Sequence, residues 1–153
     1  MSVSLGAADF GAEIRVAAAE DGLLDGGLVA LPPSRWPPPP PALFDQLRLL
    51  AIQGLPTVRR WGEVHQTLQT LHPREPHWYL WLLGVGPERR RVGIGSALLD
   101  SWLEGVDHDR SPAYLETDRR QNLGFYGRAG FEILRENEVL GTRFWSMWRP
   151  AAL

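Results

Sequence analysis

The sequence predicts a mixed α/β fold in a single domain, residues 1–153, and three observations carry that prediction. Apolar patterns of strand and helix period follow one another in the order strand, strand, helix, helix, strand, helix, strand, helix, strand, strand. A continuous apolar and aromatic run, "HWYLWLLGV", leads through a glycine-containing turn into the best-defined amphipathic segment of the chain. The 153 residues, 44% hydrophobic and 22% charged, suit one core of ordinary globular composition.

The elements can be justified in order. "AEIRVAAAEDGLLDGGLVALPP" reads as two short strands, Ile14 to Pro32, around a Gly- and Asp-rich turn. "SRWPPPPP" then brings consecutive prolines, which continue neither a helix nor a central strand. They read as a stiff surface connector, with a ligand for a proline-recognition module as the alternative. Two amphipathic segments follow. Phe44, Leu47, Leu50 and Ala51 share one helical face, and Val58, Trp61, Val64, Leu68 and Leu71 share another until "HPREP" stops the helix. "HWYLWLLGV" is predicted as a strand buried on both faces. Ile94, Leu98, Leu99, Trp102, Leu103 and Val106 form the apolar face of the next helix. "SPAYLET" is a strand, "QNLGFYGRAGF" a short helix closed by Gly130, and "FEILRE" with "TRFWSMW" a final antiparallel pair.

Composition excludes several chemistries. With no cysteine there is no disulfide, thiolate metal site or cysteine acyl-enzyme. The four histidines show no metal-ligand spacing, so no metal is expected. A net charge of -2 gives no bulk drive toward nucleic acid or an anionic membrane, and neither is expected as a partner. All 16 basic residues are arginine, a bias that argues against assigning each one a role. "MSVSLGAADFGAEIRV" lacks the pattern of a signal peptide, and no apolar run reaches the roughly 18 residues of a membrane span. A cytoplasmic location is the expectation.

"RRRVGIGSALLDSWLEG", Arg89 to Gly105, sets arginines and two glycines at a helix start. Such a start has unpaired N–H groups and a partial positive charge, and glycine lets a ligand approach the backbone. A buried strand, a glycine turn and a helix N-terminus together favour an anion, most often phosphate. A plain tight turn with solvated arginines is the competing reading, and Arg89 is expected to be solvated even where Arg90 and Arg91 touch phosphate. The chain has no lysine for a Walker A loop, and Ser96, Ala97 and Leu98 after Gly95 omit the third glycine of a dinucleotide fingerprint.

"Arg90-Arg91-Val92-Gly93-Ile94-Gly95" resembles the Gln/Arg-x-x-Gly-x-Gly/Ala signature of the GNAT superfamily of acyl-CoA N-acyltransferases. "LLGVGPE" resembles that fold's fourth strand and its turn, "AYLET" its fifth strand, and "NLGFYGRAGFE" its Asn-x-x-x-Tyr-x-x-x-Gly-Phe helix. The stretch from Leu71 to Pro150 is most similar to the puromycin N-acetyltransferase-like branch. The resemblance implies a mostly antiparallel central sheet with helices on both faces. The strand and helices that usually precede the Ile14–Pro32 pair would be reduced or absent, which would bare a sheet edge and favour a homodimer.

The same resemblance implies residue roles. Backbone groups of Arg90, Arg91, Val92, Gly93, Ile94, Gly95 and Ser96 would cradle the pyrophosphate of acetyl-CoA, the co-substrate. The strand edge at Leu83, Gly84 and Val85 would pair with the pantetheine arm, and an N–H near Val85 would steady the oxyanion. Asn122 would hold the pantetheine and Tyr126 would protonate the departing thiolate. Asn122 and Tyr126 are four apart on one helix face, which suits that picture, although periodicity alone favours Tyr126 as a core-edge residue and only the "NLGFYGRAGF" context reverses this. Glu116 is the candidate base for the amine, with a structural carboxylate as the alternative, while Glu75 and His77 are weaker candidates that also read as strand-entry residues. Two positions depart from the usual pattern: Val92 stands where a basic residue is frequent, and Gly124 where proline is.

The implied activity is direct transfer of an acetyl group to the amine of a small molecule in a ternary complex. Trp61, Trp78, Tyr79 and Trp81 would suit an aromatic acceptor or, equally, a Trp-rich core. A non-catalytic acyl-CoA sensor or remnant, and a protein or peptide N-acetyltransferase, are the other readings.

Overall fold

The computed structural model describes residues 2–7, 11–19, 22–33, 35–37 and 51–152. Within them lie strands β1 (Ser2–Ala7), β2 (Glu13–Ala18), β3 (Leu24–Leu31), β4 (Trp78–Val85), β5 (Ala113–Thr117), β6 (Glu132–Val139) and β7 (Thr142–Arg149). The helices are α1 (Leu55–Leu71), α2 (Ile94–His108) and α3 (Gln121–Arg128), with a 3₁₀ turn at Pro87–Arg89. The strands form one sheet in the order β1-β2-β3-β4-β5-β7-β6. Neighbours are antiparallel except β4 and β5, which run parallel. The mixed, mostly antiparallel sheet is the expected one. The helical face at Phe44, Leu47 and Leu50 and the prolines at 38–41 lie outside the described residues.

The N-terminus needs one correction. Ser2–Ala7 form a strand that pairs with β2 from Ser2↔Ala18 to Ala7↔Glu13, so the edge expected to be bare is covered. Small residues and glycine in "SVSLGA" mute the alternation that would have revealed it. Between Ala7 and Glu13 the chain is too short for the helices that the resemblance puts there.

Helix α2 lies across β2, β3 and β4 and buries Ile94, Leu98, Leu99, Trp102, Leu103 and Val106, the face its periodicity indicated. Leu28, Ala30, Leu80, Leu115 and Met147 meet it from the sheet. The approach is close at Gly26, where a Cβ would stand 2.9 Å from the Gly84 carbonyl oxygen and 3.2 Å from Ile94 Cγ2. A smaller cluster on the other face joins Ala12, Leu31, Tyr79 and Tyr114, with Trp36 and Trp148 packed against it. Helix α1 has no buried residue. Arg149 clamps three elements together. Its Nη1 and Nη2 donate to Asp107 at 2.5 and 2.9 Å, and its Nε donates to the Ala129 carbonyl at 3.0 Å. The end of α2, the end of α3 and β7 are thereby held in one arrangement.

Strand β4 departs from the two-faced burial that its apolar run suggests. Trp78, Tyr79 and Leu80 are buried, whereas Trp81 and Leu82 are 45% and 55% exposed. Val29 pairs with Leu82 and Ala30 with Leu80, so Trp81 is the extra residue of a β-bulge. A bulge bends its strand, and pairing of β4 with β5 ends one residue earlier, at Leu80↔Leu115. The two parallel strands part there and leave a gap in the middle of the sheet.

Gly26→Ala should lower stability by about 1–3 kcal/mol, because the added methyl must displace backbone or α2. Urea denaturation with an unchanged slope would show this as a shifted midpoint.

Candidate active site

Two cavities open from the gap. One, of about 750 Å³, is lined by Leu83, Val85, the turn from Arg89 to Ser96, and the α3 residues Gln121, Asn122, Phe125, Tyr126 and Arg128. The other, of about 580 Å³, is bounded by Trp61, Val64 and Leu68 of α1, Trp81 and Leu82 of β4, Glu116, Asp118, Arg119 and the β6–β7 hairpin. Leu83, Asn122 and Tyr126 line both. The parted strands thus make a passage with a basic mouth on one side and an apolar chamber on the other.

The basic mouth is built by the turn before α2. Arg91 and Gly93 both take left-handed backbone, φ 65 and 91. At Gly93 a Cβ would meet nothing within 4 Å, so the backbone angle rather than space calls for glycine there. No side chain caps α2 and no acidic residue stands in its first turn. The first intrahelical bond runs from Ala97 N–H to the Gly93 carbonyl at 2.9 Å, leaving Ile94, Gly95 and Ser96 N–H without intrahelical acceptors. Uncapped donors, an aligned dipole and nearby arginines suit an anion.

The arginines divide their work. Arg89 is half-exposed, as expected of a solvated residue, yet it also makes a bidentate pair with Asp25, Nε and Nη2 each 3.0 Å from a carboxylate oxygen. Asp25 is buried on β3, so this pair moors the turn to the sheet. Arg90 Nε lies 3.4 Å from the Val85 carbonyl. Arg91 stays exposed, as does Val92. Arg128, which the sequence reading missed, lines the same mouth with Gln121 and Phe125. The i, i+4, i+7 spacing of those three is the signal that would have found it.

Helix α3 presents Asn122 and Tyr126 together, as their spacing required. The Asn122 amide donates to Thr117 Oγ1 at 3.1 Å, which orients its side chain across the gap. Tyr126 is 8% exposed and packed edge-on against Phe125 and Phe131. Burial pushes its hydroxyl up to about 12, so it keeps its proton through the neutral range.

Glu116 lines the apolar chamber with its side chain 9% exposed. Burial raises its carboxyl above the ordinary carboxylate range, against the opposing influence of the Tyr79 and Tyr114 hydroxyls. His72, just past the end of α1, sits 4.0 Å from Glu116 through Nδ1. Burial, reinforced by the neighbouring His77, lowers His72 to about 3, so the two do not form an ion pair at neutral pH. Glu75 and His77 line neither of the two cavities. The four aromatics divide: Trp61 and Trp81 line the chamber, while Trp78 and Tyr79 are core. Among the described residues no group of three or more His, Asp or Glu is placed to hold a metal ion, and no helix is long and apolar enough to cross a membrane.

The model of the acetyltransferase (GNAT) family matches residues 34–131, more than half of the chain. The chain belongs to that family. Solved structures agree with this GNAT assignment. A Corynebacterium glutamicum protein, described as histone acetyltransferase HPA2 and related acetyltransferase, is 27% identical with a TM-score of 0.67, over 93% of this chain and 66% of its own. Naa20 of Chaetomium thermophilum, solved with a bisubstrate analogue, is 17% identical with a TM-score of 0.57, over 90% of this chain and 65% of its own. Nourseothricin acetyltransferase is 16% identical with a TM-score of 0.58, over 98% of this chain and 84% of its own. This GNAT chain thus spans just under two thirds of the first two. The latter two likenesses are likenesses of fold.

The neutral, buried His72 has a consequence for stability. Unfolding exposes a histidine of ordinary pKa, about 6.5, which takes up a proton that the folded state refuses. The contribution of His72 is therefore fully present above pH 6.5 and declines as pH falls toward about 3. Between pH 7 and pH 5 the parent protein should lose stability more steeply than the His72→Gln variant, as read by urea midpoints.

Proposed function

We propose that the chain is an acetyl-CoA-dependent N-acetyltransferase acting on the amine of a small molecule with an apolar or aromatic body. The observation that carries this reading is the passage through the sheet, with Leu83, Asn122 and Tyr126 shared by a basic mouth and an apolar chamber.

The residues present fit acetyl-CoA. N–H groups of Ile94, Gly95 and Ser96, with the backbone of Arg90 to Gly93, would receive its pyrophosphate, and Arg128 adds charge at the same mouth. The β4 edge at Leu83, Gly84 and Val85 is left by β5 after Leu80, which suits an extended pantetheine arm lying like an added strand. Asn122 would hold that arm across the gap. When bound, the co-substrate supplies an activated thioester carbonyl.

Glu116 would take the proton that the amine loses, since its raised carboxyl brings its basicity nearer the neutral range. A backbone N–H near Val85 would steady charge on the carbonyl oxygen. Tyr126, protonated at neutral pH, would deliver its proton to the departing sulfur. The chamber favours an apolar acceptor body through Trp61, Leu68, Trp81 and Leu82, and an ammonium head through Glu116 and Asp118.

Tyr126→Phe should lower turnover about 10²-fold with little change in acetyl-CoA affinity, measured by thiol release and calorimetry. Unchanged turnover would remove Tyr126 from the reaction. Gly93→Val, which forces a branched side chain into left-handed backbone, should weaken acetyl-CoA binding at least tenfold in a sample that stays folded by circular dichroism. Thiol release with aromatic amines but not with peptide N-termini is the expected acceptor profile. Binding without release from any amine would instead favour a non-catalytic acyl-CoA sensor.

A further inference from the structure

Behind Glu116 lies a cluster of polar groups that the transfer step itself does not use. Glu116 Oε1, His72 Nδ1 and the Tyr114 hydroxyl, all buried, meet here without a close hydrogen-bond partner. The Tyr79 and Tyr114 hydroxyls still bear on Glu116, and Ser146 on Tyr114, so the buried His72 Nδ1, facing Glu116, is the atom that calls for a reason. His72 continues into a contact of its own, its Nε2 lying 3.0 Å from His77 Nε2. His77 Nδ1 then lies 2.6 Å from the Glu75 carbonyl oxygen.

These contacts fix the protons. A carbonyl oxygen only accepts, so His77 Nδ1 carries the hydrogen and, in the neutral ring, His77 Nε2 is a bare acceptor. His72 Nε2 must therefore donate to it. In a neutral His72 the hydrogen on Nε2 leaves Nδ1 bare, facing Glu116 Oε1 at 4.0 Å. Every hydrogen bond in the row points the same way, from His72 to His77 to Glu75. The far end opens on a separate cleft of about 240 Å³ bounded by Pro32, Trp36, Arg74, Glu75, His77 and Tyr79. His72 lines that cleft, whereas Glu116 lines the acceptor chamber.

We propose that His72 and His77 form a proton exit, carrying the proton that Glu116 takes from the acceptor amine to the cleft on the other side. This rests on the proposed acetyl transfer. In that step the amine nitrogen bonds to the thioester carbonyl carbon and the carbon–sulfur bond breaks. The amine proton goes to Glu116, and the Tyr126 proton goes to sulfur. Glu116 then gives its proton to His72 Nδ1 as His72 Nε2–H passes to His77 Nε2 and His77 Nδ1–H leaves toward the cleft. Each ring gains one proton as it loses one and is left as the other tautomer, and exchange with solvent in the cleft, which both rings line, restores the starting tautomers before the next turnover. Glu116 returns to carboxylate, and Tyr126 regains a proton from solvent. Closing the gap takes about 1 Å of side-chain movement, since a hydrogen bond spans about 2.7–3.2 Å.

The surroundings suit a conduit rather than a store. Trp36 stacks on His72 at 4.3 Å between ring centroids, and Tyr79 and Tyr114 meet it edge-on at 5.0 Å. Trp148 closes on His77 at 5.4 Å, and His65 lies beyond Trp36. Burial lowers both histidines, with His77 adding to the effect on His72 and the Glu75 contacts opposing it on His77. Glu116 faces the pair from β5, Arg74 and Glu75 border the cleft, and Arg135 acts on the Tyr114 side. A proton passing through is not held.

His72→Gln tests the exit. The amide can still donate to His77 but does not relay a proton onward. Turnover at saturating substrates should fall about tenfold, with the acceptor KM and the acetyl-CoA affinity within twofold of the parent. Added imidazole buffer should restore part of the rate. In a Glu116→Gln background the same change should have no further effect, because the exit has nothing to carry. Unchanged turnover, or a loss that imidazole does not relieve and that raises the acceptor KM, overturns the exit and leaves a structural role. Nitrogen-15 spectra of the parent protein read the row without turnover: His77 should be protonated on Nδ1 and His72 on Nε2, and the reverse tautomers overturn the proposal. A parent protein that releases no thiol with any amine overturns the proposed activity, and the exit with it. An active parent with an indifferent His72→Gln variant overturns the exit alone.

Discussion

The structure depends on the point where β4 and β5 stop pairing. Parallel neighbours normally continue to the ends of the shorter strand, because each lost pairing leaves backbone groups unmet. Here the bulge at Trp81 bends β4 away one residue beyond the last pair, Leu80↔Leu115. Everything assigned to function is arranged around that defect. Leu83 and Val85 line one side of it, Asn122 and Tyr126 reach into it from α3, and Glu116 stands at its far wall. A fully paired sheet would have neither the passage nor an edge for an extended ligand. The defect is held open from outside. Asp25 and Arg89 moor the turn to β3, and Arg149 ties α3 to α2 and β7.

Burial then gives the groups around the passage their different characters. The same loss of water raises Tyr126 and Glu116 and lowers His72 and His77, so Tyr126 keeps its proton, the histidines stay neutral and Glu116 becomes a stronger base than an exposed carboxylate. Positive charge gathers at the mouth beside α2, where the uncapped helix end stands with Arg90, Arg91 and Arg128. The passage therefore runs from a basic entrance to a chamber whose carboxylates, Glu116 and Asp118, have the opposite sign, an order that suits an anionic ligand entering from one side and a cationic one from the other.

Much of this was legible in the sequence, for reasons that can be named. Six apolar residues at helical spacing specified the buried face of α2 without error, because a long, strongly amphipathic segment has one way to lie on a sheet. The glycine turn and the Asn122–Tyr126 pair were legible because backbone angle and helix spacing are local. What was missed is not local. The bulge at Trp81 is a property of two strands in register, and "HWYLWLLGV" alone reads as uniformly buried. Strand β1 was missed because "SVSLGA" has little apolar contrast. Arg89 was taken for a solvated residue because its partner, Asp25, is far away in the chain. His72 was passed over for the same reason, since its meaning comes from Glu116 and His77 together.

Helix α1 has one further consequence. It supplies Trp61, Val64 and Leu68 to the apolar chamber yet buries none of its own residues, whereas α2 buries six. Replacing a side chain on α1 costs little cohesion, while replacing one on α2 strains the core. The two halves of the passage are thus under unequal restraint. A lineage can reshape the chamber through substitutions on α1 and leave the turn and α2 at the other end of the passage untouched.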